Sequence, residues 1–540
     1  MRPLVLAVAC GGLLGAMVTA QAPRTTQSEP RPVFRLATRL VEVGVIVHDR
    51  TGRPVPGLTA DDFRLYDNGK QERVEFFRIE SGEAPAEEPA PAAPGEFSNQ
   101  RARRAGTVTV ILFDRLNTAW QDQVMARQSI IGFLRQLTPE DRVALYLLES
   151  NSVRVVHDFT RDARALLRAL ARVDATTSRE LAAANEDPLP APETGDLRLD
   201  AEIAAWLRDT SEMVAAEFTG RRAEATLSAL EAIAGRLAGV TGRKNLLWVS
   251  SGFPRVLTDQ GFTNTFSVEM RRATVAINNA NIAIYPVDAR GLVGAFTPQS
   301  ATRGPSFATM SMVRPNIDTM LTLAADTGGR AFYNTNDISG AIRRAIDDGR
   351  VTYVLGYYPS HERWDGRFRE LKVKVGRPGV EVRHRRGYLA LADRPADASA
   401  RETALADAAR SPLEAAGLGL TVRIEAGEPG PDGRISIVIT VAPQGVTLRA
   451  EGPRWIGTVD VLIVQDLPGG RVRTSGYFTV HLDMTEEQRD RLARGGIVAR
   501  REVELLDAAH QVHVVARDVP TGRTGSVVVL ADDIRAAARR

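Results

Sequence analysis

Cysteine is nearly missing from this chain: among 540 residues there is one, Cys10. It sits in an apolar stretch near the start, so the rest of the chain has no thiol for a disulfide or a nucleophile. Stability must then come from core packing. Aromatics are scarce at 6%, and seven histidines are scattered along the chain. His157 and His384 fall in predicted strands, and His510 and His513 flank a turn without visible partners for a metal. Charge of one sign is not in excess, with 69 basic against 66 acidic residues and a formal net charge of +3. That balance argues against a nucleic-acid binder, which concentrates basic charge. No Gly-x-Ser-x-Gly elbow, His-Glu-x-x-His or Gly-x-x-x-x-Gly-Lys loop occurs, so the common hydrolase, zincin and nucleotide-binding signatures are missing.

What is present begins with Met1-Arg2 and the apolar run Leu4 to Val18. Val18-Thr19-Ala20 offers small residues for cleavage, so residues 1–20 read as a signal peptide. The expected location is periplasmic or extracellular, with no transmembrane segment in the mature chain. No Leu precedes Cys10 at the spacing of a lipoprotein signal, so Cys10 is not expected to carry lipid.

Residues 33–80 read as a small β unit, with Leu40 to Val47 alternating and Asp67-Asn68-Gly69-Lys70 forming a hairpin turn. Residues 81–106 are rich in Ala, Pro and Glu, with Arg101, Arg103 and Arg104 near the end. They have too little apolar content to fold and are expected to be a disordered linker. From residue 107 to 390 the pattern is strand, helix, strand, helix. Apolar strands are expected at Thr107–Phe113, Arg142–Leu148, Asn245–Ser251, Ile282–Val287 and Val351–Tyr357, with Val153–Phe159 an antiparallel edge. Residues 174–217 read as a surface insertion, and Ala223–Leu237 as a helix with one apolar face. The fold class is therefore α/β, a doubly wound and mainly parallel sheet with helices on both faces. An Ala-rich bridge, 391–413, leads to seven predicted strands over 414–535, which suggest a C-terminal β-sandwich.

In an open sheet of this kind ligands bind beyond the C-terminal strand ends. Those loops carry Asp114-Arg115-Leu116-Asn117-Thr118, Ser250-Ser251-Gly252-Phe253-Pro254 and Asp288-Ala289-Arg290-Gly291. With Gly242-Arg243-Lys244-Asn245-Leu246-Leu247-Trp248-Val249 and Tyr353-Val354-Leu355-Gly356-Tyr357-Tyr358-Pro359, these segments resemble a von Willebrand factor type A domain. More narrowly, residues 33–390 resemble the von Willebrand factor A-related proteins known chiefly from acidobacteria. The resemblance implies the fold and no biochemical activity.

It also implies a cation site at the strand ends, Asp-x-Ser-x-Ser plus a Thr and an Asp from two other loops. Mg²⁺, Mn²⁺ or Ca²⁺ would suit such oxygen ligands. Asp114, Asn117, Thr118, Thr226 (or Glu224) and Ser251 are the candidate ligands here. The match is degenerate: Leu116 stands where the first Ser belongs, and Ser251 where the third-loop Asp belongs. The better reading of Asp114 is a cap on the loop that follows it, and of Asp288 a turn former before Arg290-Gly291.

The expected function is non-catalytic recognition of a protein partner. Asp114, Asn117, Thr118, Ser251, Phe253, Asp288 and Arg290 form the expected binding surface, with loops 114–120, 219–226, 251–265 and 288–312 around them. Two alternatives remain: a structural subunit of a cell-envelope assembly, and a hydrolase using Ser250 or Ser251. Arg383 to Arg386 form a basic strand end, and Tyr353, Tyr357, Tyr358 and Trp364 an aromatic group that is either core or contact surface.

Overall fold

The computed structural model describes residues 40–81, 95–100, 108–138, 140–150, 152–184, 194, 196–240, 242–253, 267–291, 318–361, 363–390, 397–411, 413–425 and 434–538. Residues 1–20, expected to be a signal peptide and including Cys10, the arginines at 101, 103 and 104, and the loop residues 254–265 and 292–312 lie outside the described residues.

The centre of the chain is a five-stranded sheet. Its strands are β1 (Val108–Asp114), β2 (Val143–Glu149), β3 (Ser152–Thr160), β4 (Lys244–Ser250) and β5 (Ile282–Asp288). The order is β5-β4-β1-β2-β3. β1, β2, β4 and β5 are parallel, and β3 returns antiparallel at the edge. Four of these strands are apolar almost throughout because both faces are covered. One face carries α1 (Trp120–Leu134), α2 (Ala163–Ala171) and a later helix, Ile338–Asp348. The other face carries a long helix, Leu197–Leu237, with Ser267–Asn279 and a helix over 318–327. We number α3 as Arg179–Ala184 and α4 as Leu197–Leu237. The doubly wound, mainly parallel sheet expected from the pattern is present.

Three segments sit elsewhere than expected. Val351–Tyr357 is not the last strand of the wound sheet. It pairs antiparallel with Val41–Asp49 and with Phe76–Ser81. Phe368–Val375 likewise pairs with Phe63–Asp67. Residues 40–81 and 351–390 therefore build one antiparallel β unit around a shared core that includes Val43, Leu65, Tyr353 and Tyr357. Tyr353 and Tyr357 are core residues, whereas Tyr358 is exposed. The basic strand end is also spent internally, since Arg383 forms a two-pronged ion pair with Asp348, 2.7 Å at each oxygen.

The second displaced segment lies in the expected linker, where Glu96–Ser98 forms a strand against Leu420–Ile424. Buried Asn99 fixes it there by donating to the Ala415 and Leu418 carbonyls and accepting from the Leu420 N–H. The third is the Ala-rich bridge, which contains a helix, Ala398–Arg410, capped by Asp397. Its Leu405 and Ala409 pack on Leu462, Val464 and Val515. The C-terminal region comprises two antiparallel sheets that contribute to one apolar cluster, including Val422 and Ile439 from one and Val461 and Val514 from the other.

Candidate functional site

The parallel strands bring Asp114, Ser250 and Asp288 to one rim. Asp288 lies level with Ser250, and Phe113 with Val249 one residue earlier. α4 runs antiparallel to β4, so its N-terminal half extends past this rim. Thr226 marks the crossing point, because its Oγ1 accepts from Asn117 Nδ2 at 2.9 Å.

Asp114 is fully buried and is the hub of the rim. Its Oδ1 accepts from the Asn117 N–H at 2.9 Å. Its Oδ2 accepts from Asn117 Nδ2 at 2.9 Å, Trp248 Nε1 at 3.0 Å and Ser250 Oγ at 2.8 Å. Burial pushes the Asp114 carboxyl above the usual carboxylate range, and these donors oppose that rise. The loop after β1 is thus a capped turn, as one reading of Asp114 anticipated. Leu116, at the position of the first Ser, points into the core beside the α4 face.

The rest of the rim is equally self-satisfied. Thr118 Oγ1 accepts from the Ser251 N–H at 3.2 Å, and Ser251 Oγ donates to Asp122 at 2.8 Å. Gln123 donates to the Thr118 carbonyl at 2.7 Å, stapling the loop to the start of α1. Gly252, with φ of 146°, makes the turn that lets its N–H approach Ser250 Oγ at 3.3 Å. Asp288 forms a separate unit: Arg290 closes on it with Nε at 3.0 Å and an η nitrogen at 2.9 Å.

Two corrections follow. First, Asp114, Asn117, Thr118, Phe253 and Asp288 are buried, at 0%, 5%, 0%, 3% and 3% exposure, so they do not themselves form a contact surface. Phe253 packs edge-on against Trp248, ring centres 6.2 Å apart. Only Ser251 and Arg290 of the expected surface are partly exposed.

Second, the candidate ligand set does not suit a divalent cation. A hard cation needs oxygen lone pairs aimed at one point. Here Asn117 aims its N–H₂ at both Asp114 and Thr226. Thr226 Oγ1 donates in turn to the Arg222 carbonyl at 2.7 Å. Arg222 places an η nitrogen 3.4 Å from Asn117 Oδ1. A positive guanidinium and an amide N–H₂ therefore stand where the chemistry calls for oxygens and a vacancy. Among the described residues no group of three or more His, Cys, Asp and Glu is gathered for a metal.

Ser250 and Ser251 have carboxylate and carbonyl partners, not a histidine. Ser250 is fully buried. Its hydroxyl serves the Asp114 hub.

Sequence reasoning missed two features. One is Arg222 itself, 8% exposed on the inner face of α4. Its signal was available: it stands four residues before Thr226, on the same stripe as Leu230, Ile233 and Leu237. The other is the length of α4. The second half of the expected insertion and the predicted core helix are one element of 41 residues, started by Asp196, whose carboxylate accepts from the Arg198 and Leu199 N–H groups. From Leu197 to Arg222 it rises roughly 40 Å at about 1.5 Å per residue, with α3 packed along it. On this arm Leu199, Trp206 and Met213 are 45%, 65% and 72% exposed. Their spacing of seven residues, two helical turns, aligns them in one row. Trp120, at the first turn of α1 on the same rim, is 50% exposed.

Among the described residues, no helix is long and apolar enough to cross a membrane. No protein-family model matches the chain, and no curated protein matches it. Three solved structures show a likeness in outline. The SpRpn10 VWA domain is 13% identical over 45% of this chain and 97% of its own, with a TM-score of 0.22. A von Willebrand factor type A protein from Catenulispora acidiphila is 12% identical over 86% of this chain and 74% of its own, TM-score 0.22. The open pilus adhesin SpaC from Lactobacillus rhamnosus GG is 10% identical over 84% of this chain and 56% of its own, TM-score 0.26.

Proposed function

We propose that this chain is an exported, non-catalytic binding protein, periplasmic or extracellular, of the von Willebrand factor A-related kind. It engages a protein partner above the strand-end rim, while the C-terminal β-sandwich acts as a spacer or docking module. The observation that carries this reading is the exposed row Leu199, Trp206 and Met213 on the arm of α4. Large apolar side chains repeated along one face of a helix that leaves the body are costly in water unless something covers them. Tryptophan is also the residue type most enriched among interface anchors. The buried Asp114 network supports the same reading in a different way. It holds the β1 loop, the β4 loop and α4 to one another, so the arm leaves the rim at a set angle. Contact is assigned to the arm, Trp120, Ser251 and Arg290, and the buried rim residues hold that surface in place.

The test is a photoreactive amino acid placed at position 206 in cells that make the full chain. A discrete cross-linked protein species is expected, and it should vanish when Leu199 and Met213 are changed to Ser. The purified variant should keep its melting midpoint, since those side chains touch little of the core. If cross-links form only from photoreactive positions on the C-terminal sheets, the envelope-subunit reading replaces this one.

A further inference from the structure

We infer that the guanidinium of Arg222 is the resident cation of the strand-end site, joined to Asp114 through the Asn117 amide, so that the rim assembles without metal. The geometry carries this at three points. The Asn117 amide lies between a cation and an anion, with Oδ1 3.4 Å from the Arg222 η nitrogen and Nδ2 2.9 Å from Asp114 Oδ2. Its orientation is not free. Thr226 Oγ1 gives its proton to the Arg222 carbonyl, so toward Asn117 it offers a lone pair, which only the N–H₂ end can use. Turning the amide over would set oxygen against carboxylate and N–H₂ against guanidinium, two repulsions in place of two attractions.

The second point is supply and demand of charge. Asp114 is a buried carboxylate whose hydrogen-bond partners, Asn117, Trp248 and Ser250, are all uncharged. A buried charge needs a counter-charge or it costs several kcal/mol. Arg222 is itself more than nine-tenths buried, and its Nε lacks a hydrogen-bond partner. Burial lowers its pKa, and the charges of Asp114 and Glu180 act against that lowering. Arginine nonetheless stays protonated in proteins. The two buried charges thus answer one another across one amide.

The third point is the donor set. Asp114, Asn117, Thr118, Thr226 and Ser251 spend the side-chain groups considered as ligands on internal partners. A divalent ion entering here would have to displace a fixed positive charge that is covalently part of α4. The effective concentration of that charge does not fall on dilution, so chelators have nothing to remove.

The inference does not depend on any partner, and its test uses none. The full chain is purified and its thermal midpoint measured after chelation, then with millimolar Mg²⁺, Mn²⁺ or Ca²⁺. The expected result is one midpoint in all conditions. Arg222→Met and Asp114→Asn are then each expected to lower the midpoint by several degrees. The double variant should lose well under the sum of the two single losses, because it removes both members of the pair. Arg222→Lys should recover part of the loss. A midpoint raised by Mn²⁺ in the parent chain and not in Asp114→Asn would overturn the inference. So would two single-variant losses that simply add. Should Arg222→Met fail to fold, the Arg222→Lys and Asp114→Asn pair and the cation titration of the parent chain decide the matter in the same way.

Discussion

Lys244 offers a quantitative test of how the wound sheet meets the N-terminal β unit. It opens β4 and is 3% exposed, with Nζ donating to the Ala280 carbonyl at 2.6 Å. Burial lowers its pKa from 10.5 to about 8, with Glu80 and Glu42 opposing and Arg78 assisting. In the unfolded chain the ammonium titrates near its ordinary value. Between pH 8 and the unfolded value, the unfolded chain therefore binds more protons than the folded one. Stability from this group must rise with pH across that window. Below pH 8 both states are charged and the folded state carries the full desolvation cost. A displacement of about 2.5 in pKa, at about 1.4 kcal/mol per unit, sets that cost on the order of 3 kcal/mol. Lys244→Met removes it but leaves the Ala280 carbonyl without its donor, which returns roughly 1–2 kcal/mol. The variant should thus be more stable than the parent at pH 7 by about 1–2 kcal/mol. That advantage should shrink as pH rises toward 10. Above pH 10 the buried phenols of Tyr285, Tyr353, Tyr357 and Tyr388, all raised in pKa, reverse the trend in both proteins. The assay is urea unfolding at pH steps from 7 to 10, read as the difference between variant and parent. Parallel stability curves, or a less stable variant at pH 7, would refute the reasoning.

Other substitutions probe separate parts of the molecule. Trp248→Phe deletes one donor to the Asp114 hub and leaves a small cavity beside Phe253; it should cost about 2–4 kcal/mol in urea unfolding. Asp141 takes two bonds from Arg343, at 2.7 and 2.9 Å, and two from Thr138, and these bonds hold its carboxyl below the usual range despite burial. A depressed folded pKa gives stability that is present above the unfolded value and lost as pH falls through the folded one. Asp141→Asn should therefore be destabilised at neutral pH by about 1–3 kcal/mol and show a flatter acid limb. Asn99→Ala removes three buried hydrogen bonds that tie Glu96–Ser98 to the C-terminal sheets. Hydrogen exchange should report loss of protection in Leu420–Ile424 before any change in the wound sheet. A photoreactive group at position 206 should cross-link a partner, as set out above.

Much of the wound sheet was readable because its signal is local. Val108–Asp114 and Ile282–Asp288 are continuous apolar runs, and Ala223–Leu237 repeats its apolar residues at helical spacing. Such patterns report burial and element type from neighbours in the chain. They do not report which sheet a strand joins. Val351–Tyr357 has the same apolar character as the parallel strands, yet it lies beside Val41–Asp49, some 300 residues away in sequence. Glu96–Ser98 shows the opposite failure. A strand of three residues is too short for any periodicity, and its place is set by Asn99 and the edge of Leu420–Ile424.

The site divides along the same line. Strand ends can be located from a local pattern, and that pattern alone places Asp114, Ser250 and Asp288 on one rim. What those residues do depends on which donors reach them from other elements. Asn117 reaches the Asp114 carboxylate from its own loop, but Trp248 and Ser250 come to it from β4, and Arg222 of α4 meets it only through the Asn117 amide, so the fold is needed to assemble them. Resemblance to a cation-binding pattern identifies positions and leaves the sign of the charge between them open. Here that sign is set by a helical arginine outside the pattern. A carboxylate that needs a positive neighbour can be satisfied by an ion from solution or by a side chain from the next helix. The second arrangement makes the rim insensitive to divalent cations, so recognition would have to be regulated by access to the arm of α4 and not by metal supply.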